Sequence, residues 1–186
     1  MRDRLSSLGW KAFEMSIDNI EELRHVMRTA FPQTEFQGPV TPADGQPFSE
    51  ELDDEFYLYQ GLSGRRWTEV PEEFIKIHCG DLPLLTAEAF VTFLPAWIMS
   101  GLNEPGEKNP VLAFTIYSLS PADHPTNDAH VRSVMEQWWR SRVGLLTPEQ
   151  SAAVLAFVDF VAENKATSRL RSDALRAREA LSGLHR

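Results

Sequence analysis

The chain has 186 residues, of which 42% are hydrophobic, so it is the size of one domain and too rich in core-forming side chains to be wholly disordered. Lys and Arg total 18 against 27 Asp and Glu, and the resulting net charge of -9 disfavours nucleic-acid binding by the surface as a whole. The single cysteine excludes an internal disulfide, and no apolar run reaches the roughly 18 residues of a membrane span, so we expect a cytoplasmic protein without membrane contact.

The N-terminal part of the chain predicts one helix followed by a long loop. Asp18 and Glu21 have the spacing of a capping box, and Pro32 should end the helix that they begin. Residues 32–48 contain four prolines and two glycines without periodicity, which is typical of a loop. This loop is the expected internal boundary of the chain.

A second helix is predicted after Ser49, because five acids at 50, 51 and 53–55 would lie near its positively polarised N-terminus. Residues 65–70 read as a short extended segment, and Pro71 suits the first position of a third helix that ends near Cys79. The second helix should close at Gly61 and Gly64. Its apolar side is formed by Leu52, Phe56 and Tyr59.

The middle of the chain predicts a helix over Ala87–Gly101 with Thr86 as its N-cap. Pro95 lies inside this helix and should kink or break it. Asn109 and Pro110 have the cap and first-position signature of the next element. Residues 111–119 are apolar on every side and rich in β-branched side chains, so periodicity leaves helix and strand open, with helix favoured.

The C-terminal third predicts three more helices. Asp128 should cap one that ends at Gly144, and the sequence Thr147-Pro148-Glu149-Gln150 combines an N-cap, a first-position proline and a capping-box glutamine. That helix should reach Glu163, and a last helix should cover about 168–181. The apolar residues of the Asp128 helix are Val131, Val134, Met135, Trp138, Trp139 and Val143.

These patterns predict a mainly α fold, a compact domain of about six to seven helices with room for one short extended segment near 65–70 or 111–119. Three parts are expected: an N-terminal helix and Pro/Gly-rich loop at 1–48, a helical core domain at 49–164, and a basic C-terminal helix at 165–186. The last part carries six basic side chains against two acids, opposite in sign to the rest of the chain.

Five short motifs occur in a fixed order between residues 50 and 163. They are Trp67-Thr68-Glu69-Val70-Pro71, Leu85-Thr86-Ala87-Glu88-Ala89-Phe90, Leu94-Pro95-Ala96, Leu119-Ser120-Pro121 and Leu146-Thr147-Pro148-Glu149-Gln150. In this order they resemble an uncharacterised bacterial family, a domain of unknown function, in which proline more often stands at the position of Ala87. The resemblance implies a bacterial cytosolic protein and supplies no catalytic residue.

Few residues suggest chemistry. His78 and Cys79 are neighbours whose side chains point about 100° apart on a helix, so we expect a structural role rather than a nucleophile and base. Asp123, His124, Asp128 and His130 are types that can ligate a divalent metal, although their spacing matches no known metal motif. A solvated loop with a helix cap at Asp128 explains the same residues, so a metal-dependent hydrolase is the alternative hypothesis only.

The leading hypothesis is a binding or regulatory protein that acts through an acidic and aromatic surface and neutralises a basic protein partner. No catalytic motif is present, so we expect no enzyme activity and no cofactor. Trp138 and Trp139 cannot both face inward on one narrow stripe, which leaves burial and a subunit contact, and hence a homo-oligomer, equally open. The partner-binding candidates are Glu51, Asp53, Asp54, Arg65, Arg66, Trp138 and Trp139.

Overall fold

The computed structural model describes residues 19–42, 54–104, 108–121, 128–163 and 170–184, which contain eight α-helices, two 3₁₀ turns and no β-strand. The predicted mainly α fold is confirmed. The 3₁₀ turns are Trp67–Glu69 and Leu82–Leu84. The helices are α1 (Ile20–Ala30), α2 (Asp54–Leu62), α3 (Glu72–Ile77), α4 (Ala87–Gly101), α5 (Pro110–Leu119), α6 (Ala129–Val143), α7 (Pro148–Glu163) and α8 (Arg171–Gly183).

The predicted helix caps on α4 to α7 are confirmed by their hydrogen bonds. Thr86 Oγ1 accepts from the Ala89 N–H at 3.2 Å, and Asn109 Oδ1 accepts from the Val111 N–H at 2.9 Å. Asp128 Oδ1 accepts from the His130 N–H at 2.8 Å. At the start of α7 the capping box is reciprocal: the Thr147 N–H donates to Gln150 Oε1 at 3.0 Å and the Gln150 N–H donates to Thr147 Oγ1 at 3.3 Å.

Two local predictions in the first half of the chain need correction. The N-cap of α1 is Asn19 rather than Asp18, because Asn19 Oδ1 accepts from the Glu22 N–H at 2.7 Å; Asp18 lies outside the described residues. The short extended segment predicted at 65–70 is interrupted: Arg66 and Val70 have extended backbone, and Trp67–Glu69 between them form a 3₁₀ turn. The turn satisfies the backbone N–H groups of Glu69 and Val70, which donate to the carbonyls of Arg66 and Trp67.

The buried side of α2 also differs from the prediction. Leu58 and Leu62 are fully buried, whereas Tyr59 is 41% exposed and Phe56 is only partly buried. Gly61 lies inside the helix rather than at its end, where the ring of Phe74 packs directly on its backbone. Gly64 follows the helix with a φ of 67°, a conformation that favours glycine.

Helix α4 is the centre of the fold. Its residues Phe90, Phe93 and Trp97 are at most 1% exposed, and the helix contacts α1, α3, α5, α6 and both 3₁₀ turns. Of the kink or break predicted at Pro95, the break does not occur, since the helix is continuous from Ala87 to Gly101. Pro95 is itself buried, so packing on several sides offsets the loss of one backbone hydrogen bond.

The remaining helices complete one core around α4. Residues 111–119 belong to helix α5, which packs against α4 and α8, so the helical alternative for this segment is correct. Helix α8 packs against α7 and α5, and its Ala174 and Ala177 are both fully buried. Buried residues from α1 to α8 form a single hydrophobic cluster. The expected boundaries at 48/49 and 164/165 stay predictions, because both lie outside the described residues.

Within the described ranges no single helix is both long and apolar enough to cross a membrane. Helices α6 and α7 reach that length and hydropathy only together, with a bend of 114° between them.

The contact between Gly61 and Phe74 yields a stability prediction. A Cβ at position 61 would lie 2.1 Å from the Phe74 ring, so Gly61→Ala should lower the free energy of unfolding by about 1–3 kcal/mol through overpacking. The matched control is Gly183→Ala in α8, where a Cβ would meet nothing within 4 Å and the change should be neutral or slightly stabilising. Urea denaturation of both variants measures the difference. Equal stabilities would show that Phe74 does not pack on this glycine.

Candidate functional site

Four large apolar side chains around the end of α3 are exposed, and we call them the α3/α5 surface: Tyr57, Ile77, Phe114 and Tyr117. Their exposed fractions are 46%, 75%, 45% and 51%. The Tyr57 ring lies 6.4 Å from the imidazole of His78, the residue after Ile77. The Phe114 ring lies beside Gly80, since a Cβ added to that glycine would be 3.7 Å from the ring. Tyr117 follows Phe114 by one helical turn.

The end of α3 is held rigidly under this surface. His78 is 8% exposed, its Nδ1 lies 2.8 Å from Asp81 Oδ2, and its ring packs on Phe74 with centroids 4.5 Å apart. The indole N–H of Trp97 in α4 donates to the backbone carbonyl of His78 at 3.2 Å. Exposed side chains are therefore presented on a fixed support rather than on a loop.

Carboxylates lie beside the α3/α5 surface. Glu73, whose side chain is 84% exposed, precedes Ile77 by four residues on the same side of α3, and Asp54 precedes Tyr57 by three residues on α2. Asp81 is partly exposed beside His78. Lys76 is the basic residue of α3, and its ammonium lies 3.1 Å from Glu72 and 3.8 Å from Glu73.

The charge of Lys76 is compensated within α3. A hydrogen bond and the charge of Glu72, with a smaller contribution from the charge of Glu73, raise the pKa of Lys76, so the lysine is protonated at neutral pH. The surroundings of the α3/α5 surface are therefore acidic in balance.

Cys79 has the environment of an unreactive thiol. Burial, and secondly the charge of Asp81, raise the pKa of Cys79, which keeps the thiol protonated at neutral pH. The imidazole of the neighbouring His78 is directed to Asp81 instead. This agrees with the structural role expected for the pair.

The charged residues singled out from the sequence are spread over the two ends of α2. Asp54 is exposed at the start of the helix, while Glu51 and Asp53 lie outside the described residues. Arg65 and Arg66 are exposed beyond its end, and the Arg66 guanidinium lies 4.0 Å from a carboxylate oxygen of Glu35. Trp67, between the arginines and Pro71, is 4% exposed and belongs to the core.

The two neighbouring tryptophans of α6 have different environments. Trp139 is 3% exposed, and its indole N–H donates to the Leu119 carbonyl at 3.1 Å. Trp138 is partly buried, with the Arg142 guanidinium 3.7 Å from its ring centroid. The N-terminal part of α6 is less buried than predicted, with Val131 38% and Val134 48% exposed.

Arg142 is a structural residue that the sequence analysis did not identify. It is 6% exposed, and its guanidinium donates to the backbone carbonyls of Leu85 at 2.8 Å, Pro83 at 3.1 Å and Trp138 at 3.2 Å. Burial lowers the pKa of Arg142 to about 10, so the side chain is still charged at neutral pH. Its spacing of four residues from Trp138 was the available signal, because such pairs stack on a helix.

The proposed metal ligands are only partly within the described chain. Asp123 and His124 lie outside it, Asp128 caps α6, and His130 is exposed in the first turn of that helix. Among the described residues, no three His, Cys, Asp or Glu side chains are grouped as metal ligands would be. The metal site therefore stays a prediction.

Arg142 gives a second stability prediction. Arg142→Lys removes the planar fork that reaches three carbonyls, so unfolding free energy should fall by at least about 2 kcal/mol. Arg140→Lys is the control, because Arg140 is a surface residue paired with Glu136 at 2.9 Å, and its effect should stay within about 0.5 kcal/mol. Thermal and urea unfolding report both values. Equal losses of unfolding free energy in the two variants would show that the hydrogen bonds of Arg142 to the three carbonyls do not stabilise the fold.

Comparison with known proteins places the chain in a family. No curated protein matches it. No solved structure matches it either. A family model described as a family of unknown function (DUF6714) matches residues 19–181, which include α1 to α7 and all but the last two residues of α8. The chain is therefore a member of this family of unknown function.

Proposed function

We propose that the protein binds a basic protein partner through the α3/α5 surface and the carboxylates beside it. The observation that carries this proposal is the exposure of Tyr57, Ile77, Phe114 and Tyr117 on elements fixed to the core. Clustered exposed apolar side chains, tyrosine among them, are typical of protein-binding surfaces.

Charge selects the class of partner. Asp54, Glu73 and Asp81 lie beside the surface, and the whole chain has a net charge of -9. A partner segment with lysine or arginine among apolar residues complements both the apolar side chains and the carboxylates. The negative electrostatic potential of the chain would speed the association of such a segment. A second copy of the same chain carries the same charge, so self-association through this surface is disfavoured.

We expect the apolar contacts to determine the affinity of the complex and the charges to determine its association rate. Ile77 and Tyr117 should bury most of their exposed area on binding, and central apolar anchors usually contribute more to affinity than charges at the margin. The carboxylates should mainly raise the association rate, an effect that salt screens. Binding should therefore weaken with salt without disappearing entirely.

The double variant Ile77→Ser, Tyr117→Ser tests the proposal, because both side chains are exposed and the fold should survive. Tagged protein is used to recover partners from extracts of the source cells at about 50 mM salt and again at about 500 mM salt. We expect a protein with excess Lys and Arg, recovered in a fixed ratio at low salt, whose affinity falls at least about tenfold for the double variant. Circular dichroism verifies folding.

The matched control is Leu175→Ser, which removes an exposed leucine, 43% accessible, from α8. It should bind like the unaltered chain. Equal recovery by the double variant, an acidic partner, salt-independent recovery or association only with a second copy would each overturn the proposal, as would recovery of nothing at low salt.

A further inference from the structure

A cleft of about 390 Å³ lies on the side of α3 away from Ile77, between α1, α3, α4 and the Trp67–Glu69 turn. This volume is within the range of about 300–1,000 Å³ that small-molecule sites usually have. Its polar lining comes mainly from Arg24, Arg28, Trp67, Ser100 and Asn103. None of these residues belongs to the α3/α5 surface.

Two of the lining residues hold buried hydrogen-bond donors without an acceptor. Trp67 is 4% exposed and Ser100 is 6% exposed, and neither Trp67 Nε1 nor Ser100 Oγ has a hydrogen-bond partner within the described part of the chain. A buried unsatisfied polar group costs about 1–3 kcal/mol. Two such groups lining one cleft indicate a place where acceptor atoms of a ligand can be satisfied.

The cleft also carries positive charge. Arg24 and Arg28 are one turn apart on α1 and therefore point to the same side. Arg24 donates to Asn103 Oδ1 at 2.7 Å and is also paired with Glu21, which fixes its guanidinium at the edge of the cleft. Arg28 has no ion pair or hydrogen bond to any residue that the structure describes.

Among the described acids, Glu72 lines the cleft, and its charge is already shared. Its Oε2 accepts from Asn103 Nδ2 at 3.0 Å and its Oε1 lies 3.1 Å from the Lys76 ammonium. Arg24 is likewise paired, with Glu21, so the uncompensated charge at the cleft is that of Arg28, and this charge favours an anion. Apart from Thr68, the rest of the lining is apolar and includes Ile75, Ala96 and Met99.

We propose that this cleft binds a small organic acid. The carboxylate of the ligand is held by Arg28 and Arg24, ligand oxygens accept from Ser100 Oγ and Trp67 Nε1, and the apolar part lies on Ile75, Ala96 and Met99. Guanidinium groups suit this role because their parallel N–H groups match the two oxygens of a carboxylate. The site is independent of partner binding at the α3/α5 surface.

The indole N–H of Trp67 provides a direct readout. In two-dimensional ¹H–¹⁵N spectra the five tryptophans give five indole signals, and the signal missing from Trp67→Phe identifies Trp67. Benzoate, its neutral analogue benzamide, and inorganic phosphate are titrated separately at constant ionic strength. We expect benzoate to shift the Trp67 signal in a saturable manner with a Kd below about 10 mM, and benzamide to bind at least about tenfold more weakly.

Arg28→Gln should weaken benzoate binding at least about tenfold. The variant should stay folded and keep the rest of its spectrum, since Arg28 is exposed. Arg171→Gln, an exposed arginine on α8, is the matched control and should change nothing. Three results would overturn the proposal: no saturable shift with benzoate, equal binding of benzamide, or an unchanged benzoate Kd in Arg28→Gln. Saturation by phosphate alone would also overturn it, because the apolar lining would then play no part.

Discussion

The burial of α4 is the constraint on which the rest of the structure depends. Ten of its fifteen residues are buried, and Trp97 and Ile98 are fully inaccessible. A helix that is apolar on nearly every side needs neighbours on every side, and α1, α3, α5 and α6 supply them. At about 1.5–3 kcal/mol for each large side chain removed from water, this burial contributes strongly to stability.

Burial of α4 also determines where polar groups must be satisfied. The Trp97 indole donates to the His78 carbonyl and so joins α4 to the end of α3. Arg142 of α6 donates to Pro83 and Leu85, immediately before α4 begins, and is shielded by Trp138. Ser100 Oγ, at the other end of α4, has no hydrogen-bond partner within the described part of the chain, and it lies at the cleft beside Arg28.

The short helix α3 separates the two proposed binding sites. Ile75 points into the core and lines the cleft, whereas Ile77, two residues later, is 75% exposed. Residues two apart on a helix point about 200° apart, so opposite environments are expected. Glu72 and Glu73 follow the same division, one lining the cleft and the other lying beside Ile77. The proposed partner and the proposed ligand would therefore bind on opposite sides of α3 without excluding each other.

The sequence was sufficient for the fold class and for the starts of α4 to α7, because caps such as Thr86 and Asn109 act through neighbours in the chain. The sequence was insufficient to predict which side chains are exposed. Phe56 and Tyr59 were placed on the buried side of α2, and Leu58 and Leu62 occupy it, since the packing of distant helices decides which side is covered. The α3/α5 surface and the Trp67, Ser100 and Arg28 cleft combine residues from separate helices, so no local pattern could reveal them.

Site-specific photo-crosslinking in the source cells tests the central claim, that the α3/α5 surface is used for binding, most directly. A photoreactive amino acid replaces Ile77 in one sample and Leu175 in another, and crosslinked peptides are identified by mass spectrometry. The account predicts that position 77 alone crosslinks to a lysine- or arginine-rich segment of another protein. Crosslinks from position 77 to a second copy, to the chain's own residues, or to the same proteins as position 175 would contradict it.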